Sequence, residues 1–167
     1  MTNMPMTKAA ILTDLRSARA EWDALIAQVD QSRMSEPGMA GYWSVKDVVG
    51  HLTTVDRWNV NALLAHAHGK PVPALDEQLM ELDERNRRHY EQNRMRPLSD
   101  VLEESRQVFR QLVELLDAQS EEFLTQPQTL LGLPHPIVVG QSLKDACADH
   151  YRHHLPDVRA WLERTRE

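Results

Sequence analysis

Ser142-Leu-Lys-Asp-Ala-Cys-Ala-Asp-His150-Tyr-Arg-His-His154-Leu-Pro-Asp-Val158 is the stretch on which the fold turns. At helical spacing its buried stripe is expected to be Leu143, Ala146, Cys147, His150, His154, Val158 and Trp161. Two imidazoles then stand in a hydrocarbon seam. They are four residues apart, so they lie one above the other on one helix face. Either they are hydrogen-bonded core residues or they grip something. Ser142 with Asp145 reads as the start of this helix, which is expected to run to about Glu163. Pro156 falls inside it, removes an amide and crowds the carbonyl of Arg152, so a kink is expected just past His154.

Working outward, three more strongly amphipathic helices are expected. Leu12, Leu15, Ala18, Trp22, Leu25, Ile26 and Val29 place one over 8–30. The second begins at Trp43-Ser-Val-Lys-Asp-Val48, where Ser44 is a good N-cap and Asp47 a capping-box partner. Trp43 and Val48 flank that cap as a hydrophobic staple. The helix runs through Val49, Leu52, Val55, Trp58, Ala62 and Leu63 to about Ala67, where Gly69 and Pro71 stop it. Pro97 and Ser99 open the third, with Val101, Leu102, Val108, Phe109, Leu112, Leu115 and Leu116 on its apolar face.

Segment 75–94 carries a narrow stripe (Leu75, Leu79, Leu82, Tyr90) among many charges and reads as a peripheral helix. Residues 119–141 hold Pro127, Gly132, Pro134, Pro136 and Gly140, which forbid a long helix, apart from one short turn at Glu121–Leu124. With no convincing strand, the expectation is an all-α four-helix bundle with one extra peripheral helix and a long loop before the last helix, residues 1–167 forming a single domain.

Composition narrows the function. Net charge is −6 and basic residues are interspersed with acids, so the basic stripe of a nucleic-acid binder is missing and no nucleic-acid partner is expected. No apolar run approaches the ~18 residues that span a bilayer, and the first residues lack a signal-peptide core, so a cytoplasmic, membrane-free protein is expected. A single cysteine, Cys147, rules out an internal disulfide and a multi-cysteine metal site. It reads as a small buried residue.

His51 lies on the apolar line Val48, His51, Val55, Trp58, Ala62 of the second helix. Three histidines therefore face inward from two helices. His51, His150 and His154 can supply three nitrogen ligands to a divalent ion and leave a position for water or substrate. Zn²⁺, Ni²⁺ or Fe²⁺ suits such a donor set. Asp56, Asp145 and Asp149 are candidate acceptors for the outer imidazole N–H groups. Tyr151 and Arg152 are expected near solvent. So are His153, His66, His68, His89 and His135, by their places on outer faces, at helix ends, in the charged segment and in the loop.

Trp43-Ser-Val-Lys-Asp-Val-Val-Gly-His51-Leu, with His150-Tyr-Arg-His-His154-Leu-Pro downstream, resembles the DinB/YfiT-like superfamily of four-helix bundles. That resemblance implies one histidine on the second helix and an HxxxH pair on the last, together binding a divalent metal. It also implies, as partner, a low-molecular-weight thiol used by transferases and isomerases. Thr7-Lys-Ala-Ala-Ile-Leu12, Asp83-Glu-Arg-Asn86, Asn93-Arg-Met-Arg-Pro-Leu98 and the stretch from His150 to Trp161 resemble the ClbS/DfsB family over nearly the whole length. This branch includes a cyclopropane hydrolase that protects its producer from a genotoxic metabolite. Residues 126–141 depart from its pattern, so substrate identity does not carry over.

Three functions stand on these residues. The first is a metal-dependent hydrolase or thiol-S-transferase acting on a small electrophile. The second is a metal-independent hydrolase or sequestering protein conferring self-resistance to a toxic metabolite. The third is a non-catalytic bundle with structural histidines, pairing as a homodimer through an exposed face.

Overall fold

A computed structural model describes residues 6–73 and 81–164. Helix α1 spans Lys8–Ile26, α2 Val45–Ala67, α3 Leu82–Asn93, α4 Leu98–Asp117 and α5 Glu121–Thr125. The last rod joins α6 (Val139–Leu143), a π turn (Lys144–Ala148) and α7 (Asp149–Arg164). The described residues contain no strand, only two isolated bridges, Ala40 with Trp43 and Gln128 with Ile137. The four long rods pack as expected: α2 lies against α4 and α7, and α1 against α4 and α7. No helix of the described residues is long and apolar enough to cross a membrane.

The second helix is the axis of the molecule. Ser44 Oγ accepts the Asp47 amide at 3.2 Å, and Asp47 Oδ2 accepts the Ser44 amide at 2.8 Å, closing the expected capping box. Every residue from Val45 to Thr53 is buried, because α3, α4 and α7 surround this half of the helix. A helix covered on all sides shows no clean stripe, and Val55 and Trp58, expected inside, are only half-buried.

Helix α1 is shorter than expected. It ends at Ile26, and Val29 is buried from the turn that follows, where the Val29 amide bonds back three residues to Ile26. Ser142 does not cap the last rod. That rod begins earlier, at Val139, and Ser142 lies inside it, its amide donating to Val138 at 3.0 Å. Leu75 and Leu79 fall outside the described residues, and Leu82 is exposed.

The π turn has a larger consequence. It accommodates an extra residue and shifts the register of the helix. The buried seam of the rod follows Leu143, Cys147, Ala148, Tyr151, Leu155, Val158, Trp161 and Leu162, with Cys147, Val158 and Trp161 buried as expected. His150 and His154 sit beside that seam, half-buried, rather than in it. Pro156 is carried within α7 on its exposed side.

Helix α3 lies at the edge of the bundle, docked on α2. Lys46 Nζ donates to the carbonyls of Arg94 and Arg96, at 2.6 and 3.1 Å, just past the end of α3. Gly50 lets the helices touch: a Cβ there would meet Asn93 Cγ at 2.6 Å. The inward face of α3 is polar, with His89 and Asn93 buried and Asn86 half-buried.

Candidate metal centre

His51 comes from the surrounded half of α2, and His150 and His154 from consecutive turns of α7. Nε2 of His51 lies 2.9 Å from Nε2 of His150, which is 3.3 Å from Nε2 of His154. All three offer one nitrogen within 4.8 Å of the others, the single such group among the described residues. Ligand bonds of ~2.0–2.2 Å place neighbouring nitrogens roughly 2.9–3.5 Å apart around one ion, and the His51–His150 and His150–His154 distances fall in that range.

The electrostatics fit as well. Burial, reinforced by the neighbouring imidazoles, pushes His51 down from 6.5 to about 2. Burial and the charges of His154 and His153 push His150 down to about 4. Burial, then His153, does the same to His154. All three are therefore neutral at pH 7, the protonation state a metal ligand needs.

The outer contacts differ from those expected. The backbone of Ala146, in the π turn, favours the protonated form of His150, against the stronger effect of burial. Nδ1 of His154 is buried without a hydrogen bond, 3.8 Å from Asp157 Oδ2. The expected carboxylates are engaged elsewhere: Asp149 with Lys144 and Arg152, Asp145 with Gln141, Asp56 with Tyr151. Nδ1 of His51 instead lies 2.9 Å from Nδ1 of His89, which is 2% exposed, so the expectation of a solvent-facing His89 is wrong. The indole of Trp43 stands edge-on to the His51 ring, centroids 5.3 Å apart, and Tyr90 stacks on Trp43. His66, His68, His135 and His153 are exposed, as expected.

Tyr151 is the second miss. It is 1% exposed, and its hydroxyl donates to Asp56 Oδ2 at 2.6 Å and accepts from Arg19 Nη1 at 3.0 Å. Burial raises Asp56 from 3.8 to about 6, against the opposing pull of the Tyr151 hydrogen bond. Cys147 is buried beside this network, with Asn59 Nδ2 3.4 Å from its sulfur, and burial raises its thiol pKa well above the ordinary range. It is an inert core residue and no part of the histidine cluster. Arg152, by contrast, is half-buried and pairs with Asp14.

A bundle of this topology, with a histidine on its second long helix and an HxxxH pair on its last, is of the DinB/YfiT-like class. The chain belongs to the mycothiol maleylpyruvate isomerase N-terminal domain family, which it matches over residues 15–141. The match includes His51 and stops before His150 and His154. No curated protein sequence matches the chain. An uncharacterised protein from Escherichia coli UTI89 superposes with a TM-score of 0.84 at 16% identity, covering 99% of this chain and 98% of its own. The sibling lethal factor precursor DfsB gives 0.81 at 16%, covering 97% and 98%. The colibactin self-resistance protein ClbS, solved in complex with a dsDNA, gives 0.78 at 15%, covering 94% and 96%. At these identities the likeness is one of fold.

Proposed function

We propose that this chain holds a divalent metal ion through His51, His150 and His154 and acts on a small electrophilic molecule, as a hydrolase or as a transferase using a low-molecular-weight thiol. The observation that carries this reading is the meeting of three neutral imidazoles from two helices, with ring nitrogens 2.9 and 3.3 Å apart in two pairs and all within 4.8 Å. Zn²⁺, Ni²⁺ and Fe²⁺ all accept such a set. The ion would supply Lewis-acid polarisation and would lower the pKa of a nucleophile. The chain's own residues do the rest. Trp43 and α3 cover His51 and keep water from it. Arg85 of α3 is close enough for its charge to disfavour protonation of His51 and His150, and the same charge would attract an anionic thiol. A cytoplasmic setting, where such thiols stay reduced, suits this chemistry.

The test is metal content after purification without a metal-affinity column, with turnover measured on a panel of thiols and model electrophiles. Stoichiometric metal and loss of both metal and turnover in His51→Ala are expected. Metal-free protein, with His51→Ala as active and as stable as the wild type, refutes it.

A second reading, metal-independent hydrolysis or sequestration of a toxic metabolite, is favoured by one contact. At 2.9 Å the His51 and His150 Nε2 atoms can share a proton, so the imidazoles satisfy each other without an ion. Activity that survives exhaustive chelation would select it. Nucleic acid stays outside the proposal for this chain on charge: 25 acidic residues stand against 19 basic ones.

A further inference from the structure

His89 lies outside the three-histidine set and on a helix expected to be peripheral, yet it is buried with its Nδ1 2.9 Å from Nδ1 of His51. Two imidazole nitrogens at that distance need one proton between them. His51 turns its other nitrogen, Nε2, toward His150 and His154. An ion held there requires that Nε2 to be bare. A neutral His51 then carries its proton on Nδ1, the atom facing His89. The docking of α3 makes this contact a built one. Gly50 admits Asn93 at close range, Asn93 Nδ2 donates to the His89 carbonyl at 2.8 Å, and Lys46 ties down the turn beyond.

We propose that His89 is a positioning residue: its Nδ1 accepts the Nδ1–H of His51 and holds that ring in the orientation and tautomer that present a bare Nε2 to a divalent ion. The inference rests on the three-histidine metal reading. It also requires that His89 keep its own proton on Nε2, since a neutral imidazole has one donor and one acceptor.

The experiment uses full-length wild type, His89→Phe and His89→Gln, stripped of metal and titrated with zinc against a chromogenic chelator. Phenylalanine fills the space without an acceptor, whereas the glutamine carbonyl can still accept. His89→Phe should bind zinc about 10- to 100-fold more weakly, and His89→Gln should recover most of the loss. Long-range ¹⁵N–¹H spectra of the zinc-loaded wild type should place zinc on His51 Nε2 and its proton on Nδ1, and a scalar coupling across the hydrogen bond from His51 Nδ1–H to His89 Nδ1 should be seen, which a merely packing role would not produce. Wild-type affinity in a folded His89→Phe, or a His51 proton found on Nε2, overturns the proposal. Tight zinc binding by the wild type with an unchanged His89→Phe defeats only the role of His89. A wild type that takes up no zinc defeats the metal reading as well.

Discussion

Acid should unfold this protein unusually early, and the histidine cluster sets the slope. Above pH 6.5 the three imidazoles are neutral in both the folded and the unfolded chain. Below it, the unfolded chain protonates them at their ordinary value of 6.5, whereas the folded chain resists until about 4 for His150 and His154 and about 2 for His51. The unfolded state therefore binds more protons, and stability falls as pH falls. Asp56 acts in the opposite sense. Its folded value of about 6 exceeds its ordinary 3.8, so between those values the folded state holds a proton the unfolded state lacks. Near pH 5 to 6 the three histidines and Asp56 leave a net uptake of about two protons on unfolding. That corresponds to about 3 kcal/mol lost per pH unit, a large share of a stability of ~5–15 kcal/mol. Urea denaturation of metal-stripped protein between pH 5 and 7 measures it. In a His150→Leu/His154→Leu double variant the remaining His51 and Asp56 contributions nearly cancel, so the dependence over pH 5 to 6 should become almost flat. A wild type whose stability is flat in this range, or a double variant with the full wild-type slope, refutes the reasoning.

Two further outcomes test the packing behind the site. Gly50→Ala gains ~1 kcal/mol of helix propensity but drives a Cβ to 2.6 Å from Asn93 Cγ, an overpacking that costs ~1–3 kcal/mol. A net loss of about 1 kcal/mol in denaturant stability is expected, and a stabilised variant would show that α3 does not dock there. Tyr151→Phe strips Asp56 and Arg19 of their shared hydroxyl and should cost ~1–3 kcal/mol, read as a fall of several degrees in Tm. An unchanged Tm would mean that the hydroxyl contributes no net stability.

What could be read from the chain by itself was whatever depends on local chemistry. The Ser44–Asp47 capping box, the apolar faces of α1 and α4, the stop at Gly69 and the four-residue spacing of His150 and His154 all follow from residues a few positions apart. What went unread depends on contacts between distant segments. His89 sits in a segment whose mean polarity suggests solvent, and the clue, Asn86, His89, Tyr90 and Asn93 at helical spacing, marks a polar inward face that hydrophobic periodicity does not register. Arg19 and Tyr151 bury their polar ends only because Asp56 on α2 meets them. In the last rod Tyr151 and Leu155 join Val158 and Trp161 in the buried seam while His150 and His154 are half-buried, beyond a π turn that shifts the register of the helix. Local sequence thus determined the helices and which histidines share a face. Only the packing of α3 and α7 on α2 decided which ring nitrogens meet, because burial, desolvation and hydrogen-bond pairing belong to the assembled helices.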